Sequence, residues 1–200
     1  MALRSPCKQC GAQSAKLQPR CAQCEAWIDL PTAYTHFDVL GFDETLKLDA
    51  EALRERFYAL SRQTHPDRFA NAPGLEQQIA ARWSTAVNRA YQTLREPTSL
   101  ARYLMELHGI ADSSKGVPLE LAESYFDLQD RLAEGETGSL EAFAADLRAQ
   151  HAGLEAEWER LQSAWDPSAP KKALEPIAKH LTLRRFLDSM LHDIEKRQAS

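Results

Sequence analysis

The chain has 200 residues, 44% of them hydrophobic, with a formal net charge of -5 and a pI near 5.7. That length fits one or two domains with enough apolar side chains for a core, and the acidic balance lacks the basic field that a phosphate-gripping nucleic-acid binder needs. No stretch reaches the roughly 20 apolar residues of a spanning helix, and the first residues carry neither a secretory h-region nor the Arg- and Ser-rich lead of a transit peptide, so a cytoplasmic location is expected, with a processed protein of the mitochondrial matrix as the alternative.

All four cysteines stand at the head of the chain, as Cys7-x-x-Cys10 and Cys21-x-x-Cys24. Two such knuckles present four thiolates, which close a tetrahedron around zinc at about 2.3 Å per bond, and Gly11 suits the tight turn after the first pair. Four sulfurs fill the shell and leave no open position for catalysis, so the expected metal is structural. Two disulfides, an iron-sulfur cluster or a redox dithiol are the other readings of the same spacing. A head of residues 1–31 buries too little apolar surface to fold alone, so metal binding is expected to supply much of its folding free energy. Trp27, Ile28 and Leu30 follow the last Cys, placed to dock the head on its neighbour or to offer a small partner patch, and Pro31 then interrupts the chain.

Residues 34–41 read as a short helix closed by Gly41. Asp49 is the expected N-cap of a longer helix, with Glu51 favourably placed in its first turn. Leu53, Phe57, Leu60 and Thr64 recur on one stripe, while Arg54, Tyr58 and Arg62 lie on another face. Pro66 cannot continue the helix and biases His65 toward extended backbone, so a constrained loop must begin there, projecting Asp67 and Arg68. After Asn71, Pro73 and Gly74 a second helix begins near Leu75, with Leu75, Ile79, Trp83, Ala86, Val87, Ala90, Tyr91 and Leu94 on one side. Two stripes joined by a short loop bury each other as an antiparallel hairpin with the loop at its tip. His65 and Asp67 make a poor acid-base pair, because a rigid proline separates them and no nucleophile or glycine-rich phosphate loop lies near. A non-enzymatic role is expected.

The stretch 109–118, rich in Ser, Gly and Asp, reads as a connection. Three helical patterns follow, divided at 135–139 and 166–170. The first places Leu121, Tyr125, Leu128 and Leu132 inward and leaves Ala122, Phe126, Asp127, Asp130 and Glu134 on a partly apolar, acidic flank. The second repeats Leu140, Phe143 or Ala144, Leu147, His151, Leu154, Trp158, Leu161 and Trp165, with His151 expected at the core edge, its ring nitrogen bonded. The third carries Ile177, Leu181, Leu187, Leu191 and Ile194 inward, and Leu183, Phe186 and Met190 toward one edge. The whole is expected to be all-α: an N-terminal segment (1–31), a hairpin domain (32–109), a linker (110–118) and a three-helix bundle (119–200).

With its short first helix, long hairpin and His65-Pro66-Asp67 loop, the region from about 34 to 94 resembles the J domain of DnaJ-type co-chaperones. The run Leu94-Arg95-Glu96-Pro97, then Arg102-Tyr103-Leu104 and Leu107-His108-Gly109, resembles the HscB branch, which serves iron-sulfur cluster assembly. Tyr58, Ala59 and Thr64 depart from common J-domain residues. The resemblance implies that His65, Pro66, Asp67 and Arg68, with basic Arg54, Arg56 and Arg62, meet a HscA- or DnaK-type chaperone and stimulate its ATPase. It also implies that Ala122, Phe126, Asp127, Asp130, Glu134 and Phe186 bind an IscU-type scaffold. No nucleic acid or membrane partner is implied. A J-domain adapter for an unrelated client and, more remotely, a metal-dependent thiol redox enzyme are the rival readings.

Overall fold

The computed structural model of the chain describes residues 6–111, 119–134 and 140–198. Most of the expected linker 110–118, the expected break at 135–139 and the side chains of Leu132 and Leu140 lie outside the described residues. All regular elements among the described residues are helices, and in the cysteine head a single antiparallel bridge joins Arg20 to Trp27. They form two compact units, divided between Leu100 and Ala101.

In the first unit, helix α1 (His36–Leu40) is opened by a reciprocal capping box between Thr35 and Asp38 and closed by Gly41 at φ 75. Only a residue at home in left-handed backbone fits that closing position. Helix α2 (Ala50–Thr64) starts at Asp49, whose carboxylate accepts the backbone N–H groups of Glu51 and Ala52, and ends where His65 turns extended ahead of Pro66. A 3-10 turn over Pro66–Phe69 leads to α3 (Gly74–Leu94). Leu53 and Leu60 from α2, Trp83, Val87 and Leu94 from α3, and Phe37 and Leu40 from α1 are buried. Thr64 is buried too, and its hydroxyl is satisfied by the Leu60 carbonyl at 2.9 Å. That back-bond lets a small polar residue occupy the end of the apolar stripe. Leu75 departs from expectation: it is 69% exposed, and Ala80, five residues on, is the first buried residue of the helix. At the first turn of α3 the chain has only just left the loop, and there a stripe has no facing helix to bury it.

Helix α4 (Pro97–Leu107) spans the division and ends at Gly109, φ 68, where the Ile110 N–H bonds back to the Met105 carbonyl at 2.8 Å. The second unit continues with α5 (Leu119–Glu134), α6 (Leu140–Ser163) and α7 (Pro170–Gln198). Leu121 and Leu128 of α5, Ala144, Leu147 and Leu154 of α6, and Leu187, Met190 and Ile194 of α7 share one core. Met190, expected at an edge, is fully buried, and Leu191, expected inward, only partly so. In a long helix packed against two others, an apolar stripe is wide enough to trade adjacent positions. His151 is half-buried and its Nε2 lies 2.9 Å from an Asp188 carboxylate oxygen, the bonded core-edge role expected of it.

Candidate functional sites

The four cysteine sulfurs lie within 4.8 Å of one another. Cys7 pairs with Cys24 and Cys10 with Cys21, each at 3.6 Å between sulfurs. A tetrahedron with metal-sulfur bonds of about 2.3 Å has edges of about 3.8 Å, so the donor set fits a thiolate-bound ion. The knuckles are built alike. In the first, the Gly11 N–H bonds the Cys7 carbonyl and the Cys7 N–H bonds Ala12; in the second, Glu25 bonds Cys21 and Cys21 bonds Ala26. Both need left-handed backbone after the second Cys, at φ 75 for Gly11 and φ 58 for Glu25. Backbone N–H groups of Gln23 and Cys24 aimed at the Cys21 sulfur bring that thiol down to about 6, and those of Cys10 and Gln9 lower Cys7. The Ala26 N–H also favours the Cys24 thiolate, but the neighbouring Cys10 sulfur, burial and the other two sulfurs outweigh it and push Cys24 up to about 12. Without a cation the four sulfurs cannot all be anionic; a metal dication removes that conflict.

The head docks on the hairpin within the same unit, as Trp27, Ile28 and Leu30 lead one to expect. The Trp83 indole N–H donates to the Ile28 carbonyl at 2.7 Å, and Ile28 and Leu30 are buried. Arg82 meets Asp29 at 2.7 Å and the Lys16 ammonium donates to the Gly41 carbonyl at 2.6 Å.

His65, Pro66, Asp67 and Arg68 are all exposed at the turn between α2 and α3. The His65 ring folds back on its own turn, its Nδ1 accepting the Asp67 backbone N–H at 3.4 Å. Arg68 donates to the Arg62 carbonyl at the end of α2, and the Gln77 amide of α3 donates to the carbonyls of Ala70 and Ala72 at 3.1 and 2.9 Å. The tip is thus tied to both rods by polar bonds while His65, Pro66 and Asp67 face water. Arg54 and Arg62 are exposed on α2, Arg54 in a surface pair with Glu51 at 2.9 Å, which contributes little to stability. Arg56 differs. It is half-buried, its Nε donates to the Leu40 carbonyl at 3.1 Å, and burial lowers its pKa.

On the bundle, Ala122, Phe126, Asp130 and Glu134 follow one another at four-residue intervals along α5, with Asp127 beside them. Phe126 is 68% exposed, whereas Ala122 is half-buried and the three carboxylates are exposed. Phe186 of α7 is half-buried and packs against the core. Its ring lies 5.3 Å from Tyr125, which in turn lies 6.3 Å from Phe126, so Tyr125 links the two phenylalanines. The Tyr125 hydroxyl donates to Asp193 at 3.0 Å, and Gln129 donates to the same carboxylate at 3.3 Å.

No family model matches the chain. It is 31% identical over 169 residues to a co-chaperone protein HscB homolog of Burkholderia multivorans, covering 81% of this chain and 95% of that relative. The chain belongs to the HscB co-chaperone family. An HscB homolog of Azoarcus sp. is 30% identical over 181 residues, 84% of this chain and 94% of the relative. The crystal structure of human co-chaperone protein HscB matches with a TM-score of 0.69 over 96% of this chain and 98% of that one, at 23% identity. Chaperone HscB from Vibrio cholerae matches with a TM-score of 0.57 over 83% of this chain and 98% of that one, also at 23%. At that identity the two structures speak for the shared fold. Among the described residues no helix is long and apolar enough to cross a membrane.

Within this HscB-family chain, sequence reasoning placed Tyr125 on the inward stripe but overlooked Gln129 and Asp193, with which it holds the α5 face to α7. Asp193 had a visible signal: a carboxylate between Leu191 and Ile194, both expected inward, asks for a partner. Arg20 and Glu76 were overlooked as well, and nothing in spacing pairs either with Trp27.

Proposed function

We propose that this chain is a two-site adapter of iron-sulfur cluster assembly. In this reading, residues 32–109 act as the J domain. They offer His65, Pro66, Asp67 and Arg68, flanked by Arg54 and Arg62, to a HscA- or DnaK-type chaperone and favour its ATP-hydrolysing conformation. Arg56 contributes mainly by holding α1 to α2. Residues 119–200 bind an IscU-type scaffold through Phe126 with Asp127, Asp130 and Glu134, supported by Ala122 and Phe186. Cys7, Cys10, Cys21 and Cys24 hold zinc, which supplies cross-linking of the two knuckles rather than chemistry. The protein works in the cytoplasm and catalyses nothing itself.

The observation that carries the reading is the exposed His65-Pro66-Asp67 turn at the tip of a helix pair that shares one buried core, in a chain of this family. Holding the scaffold near the chaperone raises its effective concentration, so the two contacts act more than additively. The test is the ATPase rate of a DnaK-type chaperone with the full chain, with and without an IscU-type scaffold. Stimulation that is larger with both than the sum of each supports the adapter; persistence of stimulation in His65→Gln overturns it.

A further inference from the structure

The second knuckle closes on the Arg20–Trp27 bridge, and the Arg20 guanidinium donates across it to the Glu25 carbonyl at 3.1 Å. Side chains of both bridge partners leave the head on the same side. Arg20 lies over the Trp27 ring at 3.7 Å, and the Trp27 ring meets Phe69 edge-on, centroids 5.0 Å apart at 71°. Arg20 reaches Phe69 as well, at 5.6 Å. The Trp27 indole N–H donates to Glu76 in the first turn of α3 at 2.9 Å. Phe69 is the last residue of the 3-10 turn that begins at Pro66, two positions from Asp67. It is also the one half-buried side chain of that turn, since Pro66, Asp67 and Arg68 all face water.

The remaining ties of the turn are polar and exposed, from Arg68 to α2 and from Gln77 to residues 70 and 72. Such bonds exchange readily with water and hold a loop weakly. An edge-to-face aromatic pair under a guanidinium adds a contact that water cannot replace. From this we infer that the cysteine head is a brace for the His65-Pro66-Asp67 turn, with Trp27 as the positioning residue that transmits the fold of the head to Phe69. An eight-residue bridge of this kind does not persist in water by itself, so the order of Arg20 and Trp27 depends on the cysteines that close the knuckle. The brace rests on the proposed chaperone-activating role of the turn for its functional consequence, but not for its physical one.

The experiment uses the full chain and the variants Trp27→Ala and Trp27→Phe, each checked to retain its metal by elemental analysis and its helix content by circular dichroism. Amide hydrogen exchange over residues 66–72 is the first readout. Loss of the aromatic pair in Trp27→Ala should speed exchange there by roughly three- to tenfold, and Trp27→Phe, which keeps a ring but lacks the indole N–H, should restore most of the protection. The second readout is stimulation of a DnaK-type chaperone, where the half-maximal concentration of Trp27→Ala should rise and that of Trp27→Phe should return toward the parent. If Trp27→Ala loses its metal or its helices, Phe69→Ala, which leaves the head untouched, tests the same contact and should loosen the same amides. Unchanged exchange over 66–72 in metal-loaded Trp27→Ala, or in Phe69→Ala, overturns the brace. Loosened amides in a protein whose His65→Gln variant still stimulates the chaperone would leave the brace standing and overturn the functional reading instead.

Discussion

The tip around His65 and the face around Phe126 are both exposed, but they are assembled differently. The tip is four consecutive residues, His65 capping the 3-10 turn that Pro66 opens, tied to the ends of two helices and, through Phe69, to Trp27 of the head. The face is a composite: Phe126 comes from α5, Phe186 from α7, and Tyr125 with Asp193 joins them. A local site keeps its shape if a distant core is weakened, whereas a composite one is only as good as the packing that sets its halves in register.

Single substitutions and one titration sharpen that contrast. The largest effect is expected at the tip, where His65→Gln should abolish stimulation of chaperone ATPase while scaffold affinity, measured by calorimetry, stays unchanged. In the bundle core, Leu128→Ala should cost about 2–5 kcal/mol of stability, because Leu128 is buried between α6 and α7 and the cavity cannot fully collapse. Denaturant unfolding would read it, and scaffold binding should fall with it while stimulation measured without scaffold survives. If stimulation fails equally, the two sites are not built independently. At the face itself, Phe126→Ala should cost about 1–3 kcal/mol in scaffold binding with little change in melting, since its ring is already largely in water. Phe186→Ala should lower both, because that ring also packs on the core.

The smallest effect is a pH dependence confined to the bundle. His180 is buried in α7, stacked on Trp158 of α6 at 5.3 Å, and neither ring nitrogen has a hydrogen-bond partner. Burial lowers its pKa; Glu157, with a carboxylate oxygen 4.0 Å from Nδ1, opposes this, Arg184 adds to it and Glu155 opposes it. A folded-state pKa below the unfolded value means that the neutral ring's stabilisation is complete above the ordinary histidine pKa. It is lost as the pH falls through and below that value, at no more than about 1.4 kcal/mol per pH unit for one proton. Thermal melting of the bundle followed from about pH 7.5 down to about pH 5.5 should show this slope, and His180→Leu should flatten it.

The same contrast explains how much could be read from the chain alone. Cys7, Cys10, Cys21 and Cys24 announce a four-sulfur cluster by spacing, and Asp49, Gly41 and Pro66 mark helix ends by backbone rules that act within a few residues. The tip was therefore legible at residue level, and the all-helical fold with it. What escaped was mostly set between elements. Leu75 carries the right period but stays largely in water, and Met190 and Leu191 trade places on a broad stripe. His180 goes under three residues after inward Ile177 and seven before inward Leu187, a helical spacing that did mark it. Arg56 has the same spacing credentials as Arg54 and Arg62, yet the Leu40 carbonyl claims it. Trp27 and Phe69 are far apart in sequence, and their contact follows only from how the head lies on α3.

The end of α1 receives cations from two directions: Lys16 of the head donates to the Gly41 carbonyl and Arg56 of α2 to the Leu40 carbonyl. A helix of five residues has almost no persistence of its own, so its existence is borrowed jointly from both lenders. The cysteine segment is then no detachable tag but a stakeholder in a shared folding transition, and the first hundred residues should melt as one cooperative body rather than in instalments.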